Sequence, residues 1–127
     1  MGAAESINRA LNTFFNGFGI PGYLEDNIPP AASLPYLTYK PAIPGGWNQS
    51  ATFHARLWYP SKDGRVPILQ TEDSISAAIP RGGLTIKCDG GAILLDKDDK
   101  DWAQPLDNPP EGYLCEYLIF ELTRLIP

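Results

Sequence analysis

The chain has 127 residues, 43% hydrophobic and 20% charged. That suits a single folded domain over 1–127, which buries about two thirds of its unfolded surface and leaves no room for a second domain. The formal charge of −5 comes wholly from the second half: residues 1–63 carry four basic and four acidic side chains, and residues 64–127 carry six and eleven. An acidic half excludes wrapping of DNA by clustered Lys and Arg, but suits a surface along which DNA passes without sticking.

The first element is a helix expected over about residues 4–16. Ile7, Leu11, Phe14, Phe15 and Phe18 recur at the spacing of one helical face, which makes a continuous apolar stripe. Asn16-Gly17 offers a left-handed stop, and Pro21 prevents the helix from resuming. Aromatic and β-branched residues in PYLTYKPAI, from Tyr36, and in SATFHARLWYP predict two strands of a hairpin joined by the long connection Pro44 to Gln49. In the second of these strands Phe53, Ala55, Leu57 and Tyr59 share one face, and Thr52, His54, Arg56 and Trp58 the other.

Thr71, followed by Glu72 and Asp73, reads as the cap of a short helix that runs to about Ile79 and is ended by Pro80 and Gly82-Gly83. Its buried face is expected to be Ile75, Ala78 and Ile79. LTIKC and AILLD flank Asp89-Gly90-Gly91, a strong hairpin signal because the turn needs residues that tolerate positive φ. The last run, Tyr113 to Ile126, is apolar at both parities, with Tyr113, Cys115, Tyr117 and Ile119 on one face and Leu114, Leu118, Phe120 and Leu122 on the other. One face can pack on the helices. The other, a candidate interface, needs a neighbouring subunit or a second layer, unless the monomer itself covers the strand.

Motifs for chemistry are weak. Gly17-Phe18-Gly19-Ile20-Pro21-Gly22 matches the dinucleotide pattern in letters, but a helix precedes it and a proline follows it, where a strand and a helix are needed. Met1-Gly2 with Ser6 fits a myristoylation pattern and Asn48-Gln49-Ser50 a glycosylation pattern, but both matches are formal. His54 is the single histidine, so a metal centre or a hydrolytic triad has little to build on, and a strand histidine beside a polar neighbour is expected. Cys88 and Cys115 lie in apolar runs and read as reduced, small hydrophobic residues. Asp96 to Asp101 is the densest charge cluster, but Lys100 and Asp101 stand where a calcium loop needs a ligand and a glycine, so a solvated loop is the simpler reading. No cofactor is expected and no enzymatic activity. Neither a membrane span nor a signal peptide is expected. Trp47 and Trp102 fall in expected loops, where tryptophan either anchors an interface or covers the core.

Two features together resemble the tail terminator and tail-completion proteins of long-tailed bacteriophages and prophages. One is the series INRALNTFF, then Gly-Ile-Pro-Gly-Tyr-Leu-Glu-Asp around Glu25 and Asp26, then Pro35-Tyr36-Leu37-Thr38-Tyr39. The other is the layout of helix, hairpin, helix, hairpin and closing strand. The motif resemblance spans about residues 7–40, and the layout most of the chain. It implies an α+β fold with a mostly antiparallel sheet flanked by two helices, in the order α-β-β-α-β-β-β. It also implies a homo-hexameric ring that caps the tail tube and meets the head connector, placed at the tail-head junction of the virion after assembly in the host cytoplasm. Its partners would be other copies, the tube protein and the connector, with DNA only in passage. By analogy, Asp96, Asp98, Asp99, Asp101 and Trp102 become a candidate lumen or docking loop, and Gly45, Gly46, Trp47 and Asn48 a candidate subunit-contact loop. A head-tail connector or other minor capsid protein is the near alternative, separable by gene order. A divalent-cation-dependent binding module is the distant one, separable by replacing Asp98 and Asp99 with Asn.

Overall fold

The computed structural model describes residues 2–98 and 101–126. It is an α+β fold in which one curled, mixed sheet packs against two helices. Helix α1 (Ala3–Phe15) is followed by β1 (Gly22–Leu24), a 3-10 turn at Glu25–Asn27, β2 (Tyr36–Lys40) and β3 (Ser50–Pro60). Helix α2 (Val66–Ala78) leads to β4 (Leu84–Cys88), β5 (Gly91–Lys97), β6 (Ala103–Pro105) and β7 (Tyr113–Leu125). The sheet runs β1-β2-β3-β7-β5-β4, with β6 also paired to β7. All neighbours are antiparallel except β1 and β2, which are parallel.

The helical stripe of α1 is the centre of the core. Ile7, Leu11 and Phe15 are fully buried, and the Phe15 ring lies 4.9 Å from that of Tyr39, 6.3 Å from Phe53 and 5.6 Å from Phe120. One side chain thus joins the helix to β2, β3 and β7. The long pair β3 and β7 supplies the rest through strand alternation: Phe53, Ala55, Leu57 and Tyr59 point inward beside Leu118, Phe120 and Leu122. Ile68, Ile75 and Ile79, from α2 and its end, close the same layer, while Ala78 is half-buried.

Three expectations need correction. The left-handed residue after α1 is Gly19, at φ +82°, and Asn16 stays at φ −87°. Asn16 instead uses its side chain: Nδ2 donates to the carbonyls of Asn12 and Gly22, and Oδ1 accepts the Gly22 N–H at 2.9 Å. The second helix begins at Val66, five residues before Thr71, because Pro67 in its first turn needs no amide partner and has φ already set for a helix. Thr71 therefore lies inside the helix, buried, with its hydroxyl against the Tyr59 hydroxyl. The strand order also gains β1 and β6, each of three residues.

β6 continues the path of β5 along the same edge of β7. The Asp98 N–H donates to the Ile119 carbonyl, the Ile119 N–H donates to the Trp102 carbonyl, and pairing resumes at Ala103 opposite Leu118. The acidic segment is thus an excursion from a strand line, anchored on both sides of Ile119.

Candidate interaction surface

The helices cover one face of the sheet and leave the other without a helix, with Ile28 and Pro110 beside it. Alternation from the core residues puts Tyr36 and Thr38 of β2, His54, Arg56 and Trp58 of β3, and Tyr113, Cys115, Tyr117 and Ile119 of β7 on this outer face. The registers Tyr36 to Trp58 and Trp58 to Cys115 align these residues across three strands. Tyr36, Trp58, Tyr113, Tyr117 and Ile119 are half-buried, whereas Cys115 is buried.

The aromatic groups lock one another. Rings of Tyr23 and Tyr36 are 5.9 Å apart, those of Trp58 and Tyr113 also 5.9 Å, and His54 stacks on Tyr117 at 5.0 Å. Trp58 Nε1 donates to Thr38 Oγ1 at 3.0 Å, which satisfies the indole on a half-dry face. Arg56 lies 5.4 Å from the Tyr117 ring centre and pairs with Glu25 from the 3-10 turn. Between them is a cleft of about 310 Å3 walled by Tyr36, Trp58, Arg56 and Tyr113, with Ile28 and Pro110 at its sides. Such a patch of preordered aromatic rings with one arginine has the composition of protein-binding surfaces.

Burial dominates the titration of the groups on this face. Burial and the Arg56 charge push His54 below the ordinary imidazole range, against the pull of Glu25, so the ring is neutral at pH 7. Burial pushes the Cys115 thiol up to about 12, which leaves it protonated and inert. Tyr36 is raised by burial and by the neighbouring Tyr113. Cys88 and Cys115 are both free thiols.

The loop Gly45, Gly46, Trp47 and Asn48 lies across the far end of β7. The Asn48 N–H donates to the Arg124 carbonyl, Arg124 Nη1 donates to the Pro44 carbonyl at 3.1 Å, and the guanidinium carbon lies 4.4 Å from the Trp47 ring centre. Trp47 also rests against Gly91, where an added Cβ would stand 2.9 Å from the indole and 2.4 Å from the Leu125 carbonyl oxygen. A 38% exposed Trp47 therefore shares its area between the monomer and solvent.

In the acidic segment, Asp96 lies in β5 opposite Glu121, Asp98 and Asp101 lie in the excursion, and Asp99 falls outside the described residues. Trp102 turns inward: its ring is 5.9 Å from Phe120, and Lys97 Nζ lies 5.5 Å from the ring centre while donating to Ser76 Oγ at 2.9 Å. Among the described residues no group of three His, Cys, Asp or Glu side chains is placed to hold a metal ion. The structure thus brings the acidic excursion beside the outer face at Ile119, but keeps the Trp47 loop apart at the end of β7. The cleft residues Tyr36, Trp58, Arg56 and Glu25 were missed by sequence reasoning. Their signal was the shared parity of Trp58 with Arg56 and His54, hidden because the strand pairing was unknown.

The chain matches no family model and no curated protein. A solved structure aligns with 98% of this chain and 94% of its own, with a TM-score of 0.61 and 16% identity. At that identity the likeness shows the fold alone. No helix among the described residues is long and apolar enough to cross a membrane.

Proposed function

We propose that this protein is a structural virion component that caps the tail tube of a long-tailed phage as an oligomeric ring and joins the tail to the head. The observation that carries the reading is the outer face of β2, β3 and β7, where Tyr36, Trp58, Tyr113, Tyr117 and Ile119 form a half-buried aromatic patch on rigid strands. A homomeric ring needs two different complementary patches on each subunit. The aromatic face is one of them, and the acidic excursion beside Ile119 is suited to face DNA in a lumen. Capping itself is a difference between the affinity for a tube end and the affinity for a further copy above it.

The test is the variant Tyr117→Glu, which puts a carboxylate into the middle of the patch beside Arg56 without touching the core. It should keep the wild-type melting temperature and circular dichroism but lose binding to the ends of tubes made from the cognate tail tube protein. Tube ends decorated as well as by the wild type would remove the aromatic face from the account.

A further inference from the structure

We propose that the free edge of β4 is a docking strand, to which an extended acidic segment of a partner polypeptide adds as a further strand of the sheet. The three strands that could offer an edge differ in how they are finished. At β1 the Asn16 amide occupies both the N–H and the carbonyl of Gly22, so that edge is already paired. At β6 the Leu106 N–H and the Trp102 carbonyl face β7, which turns Ala103 and Pro105 outward, and a proline has no N–H to offer. Both are the blunted edges expected of a protein that avoids unwanted pairing.

β4 is finished differently. Cys88 and Gly91 face each other across the two-residue turn Asp89-Gly90, with Gly90 at φ +80°. In such a turn the flanking residues form the hydrogen-bonded pair, so Cys88, Ile86 and Leu84 bond to β5, while Thr85 and Lys87 turn their N–H and carbonyl groups outward. Both are exposed, and neither makes a further backbone hydrogen bond among the described residues. The turn is also tied to α1, because Ser6 Oγ accepts the Asp89 N–H at 2.8 Å. The edge is therefore held rigid and left open.

Beside it, between β4 and α1, lies a groove of about 430 Å3 whose apolar walls are Ala10, Phe14, Leu84, Ile86 and Cys88. An added strand would place alternate side chains in this groove and pair its backbone with Thr85 and Lys87, which is how peptide strands are recognised at sheet edges. The charge on the rim selects the partner. In a chain of net charge −5, the groove carries Arg9 and Lys87 against Asp89, and neither basic group has an ion pair among the described residues. A segment alternating apolar and acidic residues fits both the walls and the rim. This surface is separate from the aromatic face and does not depend on the tail-capping reading.

The probe is a synthetic eight-residue peptide of alternating valine and glutamate, added to the full-length protein and followed by amide NMR and hydrogen exchange. Binding should shift the resonances of Thr85, Lys87 and Phe14 and slow exchange at the Thr85 and Lys87 amides. N-methylation of the peptide on the residues that face β4 removes two hydrogen bonds of about 1 kcal/mol each, so affinity should fall at least about tenfold without any change to the protein. Thr85→Pro, which removes an outward donor at an edge position where proline is tolerated, should do the same. No binding, equal binding of the N-methylated peptide, equal binding of a valine-lysine peptide, or shifts confined to the outer face would each overturn the proposal. Protection of Thr85 and Lys87 that grows with protein concentration alone would assign the edge to a second copy and overturn it as well.

Discussion

Glu72 shows how a single residue can be set by what lies beneath it. Its carboxyl is pushed up to about 7, first by burial and then by the neighbouring Glu116, a residue only 3% exposed whose carboxylate accepts from Arg65 Nη1 at 2.9 Å. A carboxyl raised from 4.5 holds its proton in the fold after the unfolded chain has released it. Its contribution is therefore full below about 4.5, declines as pH rises from there to about 7, and is gone above it. Glu72→Gln should consequently raise stability at pH 8 by about 1 kcal/mol, allowing for solvent screening of a half-exposed group, and change little at pH 4. Thermal melts at the two pH values check this, and an equal shift at both would contradict it.

At the scale of elements, the clearest device is the closing of β1 by Asn16. A three-residue strand has little pairing of its own, and the side-chain amide supplies both missing partners at Gly22. Asn16→Ala should cost about 1–2 kcal/mol and speed amide exchange at Gly22. Unchanged exchange there would show that the amide is not what closes the edge. The same element explains what the sequence could and could not reveal. Helix α1, the hairpins at Tyr36 and at Asp89-Gly90, and the strand at Tyr113 were legible, because each repeats a period or carries its own turn. β1 and β6 were not, since nothing in Gly22–Leu24 or Ala103–Pro105 distinguishes them from loop until β2 and β7 lie alongside. The start of α2 is masked in the sequence because Thr71-Glu72-Asp73 carries a cap-like pattern inside a helix that Pro67 already opens.

In the whole molecule, the last strand divides its apolar residues between the two faces of the sheet. Its even residues Leu118, Phe120 and Leu122 meet the helices, and among its odd residues Tyr113, Tyr117 and Ile119 stay half-covered while Cys115 is buried. What sequence could not supply was the company this face keeps. Trp58 and Arg56 pair with Cys115 and Tyr117 of β7 from far away in the sequence, Tyr36 joins them through Trp58, and only the sheet register gathers them. The candidate loops at 45–48 and 96–102 were placed by analogy, and in the structure Trp47 and Trp102 spend part or most of their surface on this chain. Under the proposed capping role, function lies in the fit between copies and partners, and one chain carries one side of that fit.

Light scattering across concentration, with and without Mg²⁺, combined with electron microscopy of purified tail tubes incubated with the protein, tests the capping claim most directly. The account predicts a hexamer in solution, or a ring that forms only at tube ends. A chain that stays monomeric and never decorates tubes would contradict it.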